Sequence, residues 1–393
     1  MNPEQKLFLA LLRDHVRSET LAEPEPGTDW AALLKLADAQ SLSALCYVQL
    51  RGLPGVPADA LQCFHSRFLA ETCLAVNRRI EMARISAEMD RQGIPFLPFK
   101  GWVVKNAWPV PELRSMGDVD FLIRPKDRSA CDALMRALGF ELLLKTAAVW
   151  TYARGSVCIE VHERMIYEPL LGQADHAAYF DRAWAFASPE LDASFHLLYL
   201  LTHLAKHITN KGMGFRAFLD LVFWCRERGD TLRWDWIRAQ LAELRLLDFA
   251  QTCFTLCRAW FGIKLPLSDR ELDRAFFKNV TEKAFSDGAF GLENAQNDDA
   301  ALTKEIALAE QPFFLTALRM TLRRIFPAYE DMRMIPWYRF LDGRPWLLPA
   351  AWVYRWFFCL FRKREQSGEI LMEVFRKRGR IEGRMEQLRQ WGL

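Results

Sequence analysis

The sequence predicts an α+β fold, a small mixed β-sheet flanked by helical N-terminal and C-terminal modules. Three observations lead there. Apolar residues recur at helical spacing up to Gln92. Short alternating apolar runs then take over between 94 and 165. From Ser188 the chain returns to helical spacing, punctuated by Pro266, Pro312, Pro327, Pro336 and Pro349. Periods of 3.6 and 2 residues distinguish helix from strand.

The elements follow in order. Residues 3–18 read as a helix, and the proline-rich run Glu23–Asp29 reads as a linker whose Asp29 caps the next helix. Trp30–Leu50 carries Leu33, Leu34, Leu36 and Ala37 at helical spacing, and Gly52–Pro57 breaks it. Ala58–Gln92 is one long periodic helix ended by Gly93. Strands are expected at 94–99, 118–123, 140–145, near 148–153 and at 157–162, with a helix over Pro125–Gly139 among them. This divides the chain into a helical module at 1–93, an α/β core at 94–187, a helical domain at 188–335 and an aromatic-rich helical segment with a basic tail at 336–393.

A chain of 393 residues has room for two or three modules and a large core. Its net charge of +3 excludes a global field that would drive it onto nucleic acid. Nine cysteines, an odd number with no Cys-x-x-Cys pair, sit in apolar contexts such as Cys46, Cys225, Cys253 and Cys257. That pattern points to reduced core thiols in a cytoplasmic setting. The polar start Met1–Lys6 does not read as a signal peptide.

Chemistry concentrates in Arg114–Ile123, a turn running into a strand. Alternate strand residues share a face, so Asp118 and Asp120 point one way while Val119, Phe121 and Ile123 point into a core. Two neighbouring carboxylates repel unless a cation lies between them. Mg²⁺ suits carboxylate oxygens, and metal with carboxylates is the core of phosphoryl-type transfer. Upstream, the apolar run Ile94–Phe99 leads into Lys100-Gly101. If Gly101 opens a helix, its free N–H groups and the Lys100 charge make an anion site. Downstream, Glu160 and His162 share one face of Val157–His162, opposite Ile159 and Val161. A strand carrying Glu160 alongside the Asp pair would complete a metal site.

Together these residues resemble the poorly characterised bacterial branch of the polymerase-beta-like nucleotidyltransferase superfamily. The resemblance rests on Phe99-Lys100-Gly101, on Arg114 with Asp118 and Asp120, and on Glu160-Val161-His162. It extends to His203, Lys206 and His207, then Arg216 and Asp220-Leu221. It spans roughly 30–360, with the sharp motifs between 99 and 221. Two departures stand out: Lys100-Gly101 replaces the superfamily's usual Gly-Ser helix start, and the third acid is Glu160 rather than Asp.

The resemblance implies metal-dependent transfer of a nucleoside monophosphate from a nucleoside triphosphate to an unidentified hydroxyl acceptor. Asp118, Asp120 and Glu160 would be catalytic and would hold Mg²⁺, with Mn²⁺ as a substitute. Lys100, Gly101 and Arg114 would bind the nucleotide. His162, His203, Lys206, His207, Arg216 and Asp220 would line the site. With no basic stripe of interleaved aromatics, a protein, sugar or small-molecule acceptor is favoured over nucleic acid. The alternative is a catalytically inactive binding module on the same fold, motivated by the two departures.

Three further expectations come from the residues. His196, His203 and His207 form a polar stripe on an otherwise apolar helix, and the stripe should face the acidic cleft. Replacing Asp120 by Asn should leave the fold intact, with stability unchanged or raised, because it removes one of two repelling charges. Trp346–Phe361 is apolar apart from Arg355 and too short to span a membrane. With the basic tail after it, it reads as a buried helix followed by a solvated charged tail, the alternative being a weak docking surface for a membrane or a protein.

Overall fold

The computed structural model describes residues 1–393 apart from 21, 147–148, 168–169, 171–173, 290, 292–314, 316–317, 320–321, 324, 334–335, 342 and 363–377. Pro312 and the start of the basic tail at Lys363 lie outside the described residues. Helix α1 spans Pro3–Arg17 and opens with a capping box between Asn2 and Gln5. Helix α2 spans Trp30–Ala39, and Asp29 caps it by accepting the Ala32 N–H at 2.9 Å. Helix α3 follows at Ser43–Leu50. Helix α4 runs over Ala58–Gln92 and stops at Gly93, whose φ of +64° is open to glycine at little cost.

Five strands follow: β1 at Phe96–Phe99, β2 at Val119–Ile123, β3 at Glu141–Lys145, β4 at Val149–Arg154 and β5 at Val157–His162. Their order in the sheet is β1-β2-β5-β4-β3. Only the β2–β5 pairing is parallel; the other three are antiparallel, so the sheet is mixed. An irregularity between Leu142 and Leu144 leaves Leu143 without a partner on β4. Helix α5, at Gly101–Val104, follows β1, and α6, at Arg128–Ala137, follows β2.

One face of the sheet is dry. Val119, Phe121, Ile123, Ile159 and Val161 pack there against Met82, Ile85 and Met89 of α4 and Leu134 and Met135 of α6. Each such side chain contributes roughly 1.5–3 kcal/mol by leaving water. Near the other face, Leu97, Phe99 and Leu122 join a larger core. That core takes in α1–α3 and, further along the chain, α7 (His176–Phe180), α8 (Ala193–Asn210), α9 (Phe215–Glu227), α10 (Trp234–Glu243), α11 (Leu247–Phe261) and α12 (Arg274–Asp287). The molecule is thus mostly helical around a five-stranded mixed sheet.

Two compact units divide the chain, Met1–Asn294 with Gln390–Leu393, and Ala295–Arg389. The first holds the sheet and everything up to α12. The second contains α13 (Tyr329–Arg333) and α14 (Leu348–Arg362) around Met332, Tyr338, Leu341 and Ala351. There the Trp352 and Trp356 indole N–H groups donate to the Pro327 and Ile325 carbonyls, each at 2.9 Å. No helix among the described residues is long and apolar enough to cross a membrane.

Candidate active site

Strand β2 places its apolar residues as the alternation requires: Val119, Phe121 and Ile123 are fully buried. Asp120 lies in the strand and Asp118 just before it. The parallel pairing sets Asp120 directly opposite Glu160, with Leu122 opposite His162. This register brings ligand atoms of Asp120, Glu160 and His162 within 4.8 Å of one another. His162 Nε2 lies 2.8 Å from Asp120 Oδ1 and 3.4 Å from Glu160 Oε2. Asp118 stands outside this trio but lines the same cavity, of about 540 Å³, as Asp120 and Glu160. His162 is buried behind Asp120 rather than on the cavity wall.

Lys100 follows β1, whose Phe99 pairs with Asp120. Its ammonium donates to Asp120 Oδ1 at 2.6 Å. Its backbone has φ +52° and ψ −135°, a conformation that side-chain-bearing residues seldom adopt. The Lys100 N–H donates to His196 Nε2 at 3.2 Å, which helps hold that conformation. Gly101 opens α5, as expected, and a Cβ on it would lie only 2.5 Å from an Arg114 guanidinium nitrogen. Arg114 itself makes two 2.7 Å bonds to Asp220, Nε to Oδ1 and NH2 to Oδ2. Trp108 Nε1 donates to the same carboxylate at 2.9 Å.

Helices α8 and α9 form the facing wall, where His203, Lys206, His207 and Arg216 line the cavity. His203 and His207 bring their Nε2 atoms to 3.2 Å of each other. Arg216 donates to the Ser115 carbonyl at 3.0 Å, tying α9 to the loop before β2. The third member of the expected stripe is placed elsewhere. His196, two turns before His203 on α8, is fully buried and accepts from the Lys100 backbone N–H.

Charge follows from this packing. Burial, with Asp120 and Glu160 adding repulsion, pushes the Asp118 carboxyl up to about 6. Burial would do the same to Asp120, but Lys100 and His162 outweigh it and hold that group at about 2. Lys100 in turn stays charged because Asp120 overrides its desolvation. Burial lowers His207 to about 4, with Lys100 and Lys206 adding like charge, and His203 is held well below its ordinary value for the same reasons. Both imidazoles are therefore neutral near pH 7. Burial also lowers Arg216 to about 10, with Arg114 contributing repulsion.

These pairings correct one expectation. Asp120 is not an uncompensated charge beside Asp118. It is the counter-ion of a buried ammonium, so replacing it by Asn should cost stability rather than leave it unchanged or raised.

The donor set fits a divalent cation. Asp120 and Glu160 offer carboxylate oxygens side by side, with an imidazole beside them. The third acid, Asp118, holds its proton more tightly than usual, through burial first and repulsion from Asp120 and Glu160 second.

Residues 26–262 match the sequence profile of the family described as uncharacterised nucleotidyltransferase. The chain belongs to that family. Two solved structures are similar to parts of this nucleotidyltransferase-family chain. One is a crystal structure of ANT(2'')-Ia in complex with adenylyl-2''-tobramycin, with a TM-score of 0.32 and 13% identity, covering 42% of this chain and 95% of the other. The other is a solution structure of the antibiotic-resistance factor ANT(2'')-Ia, with a TM-score of 0.31 and 14% identity, covering 44% and 92%. No curated protein matches the chain.

Sequence reasoning did not find the roles of Trp108 and Ser115. Each acts across a long separation, such as the 112 residues between Trp108 and Asp220.

Proposed function

We propose that this protein is a metal-dependent nucleotidyltransferase that moves a nucleoside monophosphate from a nucleoside triphosphate to a hydroxyl acceptor. The observation that carries this reading is the Asp120–Glu160 pair across parallel strands, facing the cavity that Asp118 also lines. Asp118, Asp120 and Glu160 would hold Mg²⁺, or Mn²⁺ in its place, which would polarise the phosphate under attack and lower the pKa of the acceptor hydroxyl. Lys100, beside the Gly101 N–H, offers its ammonium to phosphate oxygens. Arg114, fixed in direction by Asp220, adds positive field as pyrophosphate leaves. Lys206 and Arg216 place further positive charge on the opposite wall. The neutral imidazoles of His203 and His207 can hydrogen-bond the nucleotide or the acceptor.

A protein, sugar or small-molecule hydroxyl is the acceptor class this reading favours over nucleic acid, in keeping with the small net charge of +3. A cytoplasmic setting is part of the proposal, supported by the free, buried thiols of Cys46, Cys131, Cys225, Cys253 and Cys257. So is a weak docking role on a membrane or protein for the C-terminal segment, supported by the exposure of Trp337, Trp346 and Phe357. The test is release of pyrophosphate from labelled triphosphates over a panel of hydroxyl acceptors, with and without Mg²⁺. Metal-dependent label transfer that Glu160→Gln abolishes supports the reading. No transfer with any acceptor and no Mg²⁺-dependent nucleotide binding would remove it.

One observation favours a second reading, a binding module without catalysis. The Lys100 ammonium is seated on Asp120, an oxygen a cation would need. Nucleotide binding indifferent to Mg²⁺ would favour that reading.

A further inference from the structure

Tyr199 has no part in the chemistry above, yet it lies in the middle of it. Helix α8 sets its ring between two histidines, with centroids 6.2 Å from His196 and 5.7 Å from His203. His196 accepts from the Lys100 N–H, and His203 lines the cavity. The ring also packs edge-on against Phe99, the residue before Lys100, at 5.3 Å. Tyr199 is thus wedged between the backbone anchor of Lys100 and the cavity wall.

The ring is fully buried, and its hydroxyl makes no hydrogen bond among the described residues. A buried hydroxyl without a partner destabilises a folded protein, so its retention calls for an explanation. Packing does not supply one, because the ring contacts with Phe99 and Phe180 would be made equally well by phenylalanine. Burial keeps the phenol protonated, hence neutral and able to accept a hydrogen bond. The charge that acts on it most strongly is that of Lys100. The Lys100 ammonium has three protons, and Asp120 Oδ1 takes one of them at 2.6 Å.

We propose that Tyr199 is a positioning residue for Lys100, its hydroxyl accepting from the ammonium as a triphosphate draws that ammonium away from Asp120 and onto a phosphate. This inference rests on the nucleotidyltransferase reading and adds to it. It makes Lys100 a group with two stations and gives the orphaned hydroxyl its partner at the second. Asp120 is then released from its internal counter-ion at the moment the nucleotide arrives.

The test compares wild type, Tyr199→Phe, Lys100→Met and the double variant, each as the full chain. Thermal melting is measured without ligand. Affinity for a non-hydrolysable adenosine triphosphate analogue with Mn²⁺ is measured by calorimetry. Tyr199→Phe should melt at the same or a higher temperature and bind the analogue about tenfold more weakly, the scale of one hydrogen bond to a charged group. In the Lys100→Met background the same change should cost no further affinity. Three results would overturn the proposal: lower melting with unchanged affinity, no change in either quantity, or a tenfold loss that persists without Lys100. If wild type binds no triphosphate, the parent reading fails and this inference falls with it. If wild type binds and Tyr199→Phe binds equally well, only the inference fails.

Discussion

Arg114 and Asp220 meet in a two-pronged buried ion pair, 106 residues apart in sequence, that joins the loop before β2 to helix α9. Both side chains are about nine-tenths buried. Replacing Asp220 by Asn keeps an acceptor for Trp108 but leaves the guanidinium without a counter-charge, next to Arg216. The expected cost is about 3–5 kcal/mol, the range for breaking a buried pair from one side. Urea unfolding measures it, and a change below about 1 kcal/mol would show the pair to be dispensable to the fold.

Asp120→Asn should abolish transfer and also lower stability by something like 3–5 kcal/mol, since it strands the Lys100 ammonium. The double variant with Lys100→Met should recover much of that loss while staying inactive. Melting curves of the three proteins decide this, and a single variant as stable as wild type would mean that the ammonium finds another partner.

Asp118 should give the metal-free protein a pH dependence of its own. Its carboxyl is raised to about 6 in the fold against an ordinary 3.8, so the folded state holds its proton more tightly than the unfolded chain does. Its contribution to stability is therefore fully present below the unfolded value. It is lost as pH rises through the folded one. Asp118→Asn should remove this slope between about pH 4 and 6. It should also stabilise the protein near pH 7 by on the order of 1–3 kcal/mol. Denaturant unfolding at pH 4 and pH 7 would reveal the difference, and parallel curves for the two proteins would contradict the assignment.

Arg216→Ala should weaken triphosphate binding by ~1–3 kcal/mol, the scale of a charge-assisted hydrogen bond. The fold should tolerate it better than the loss of Asp220, because Arg216 is itself crowded by Arg114 and its bond to the β2 side goes to a neutral carbonyl, that of Ser115. Calorimetric titration with a triphosphate and Mg²⁺ reads the effect, and unchanged affinity would reduce Arg216 to a tie between α9 and the loop.

The strands carrying Asp120 and Glu160 were legible because alternation marks which side chains share a face, and Val119, Phe121 and Ile123 leave little choice of side. The same alternation says nothing about neighbours. That β5, rather than β3 or β4, lies beside β2 and runs parallel to it depends on pairing between segments some forty residues apart, such as Asp120 with Glu160. The partners of Lys100, Arg114 and His196 were hidden for a related reason. A charged or polar residue advertises its chemistry in sequence, but not whether it spends that chemistry on a ligand or on another residue. Lys100 and Arg114 read as phosphate ligands from their motifs, and both hold internal carboxylates in the fold. Gly101 looked like a helix opener. The closeness of Arg114 to where a side chain would be adds a demand on that position that no local pattern contains.

Strand β3 ends the sheet with Leu143 and Leu144 more than half exposed, a tempting template for a stranger's backbone. The unpartnered Leu143 breaks the regular spacing that an incoming strand would have to match, and Glu141 and Lys145 bracket it with opposite charges. The irregularity therefore makes this edge a poorer template for a sixth strand. Deleting Leu143 would restore regular pairing along β3, and the consequence would appear first as concentration-dependent clumping of otherwise folded protein.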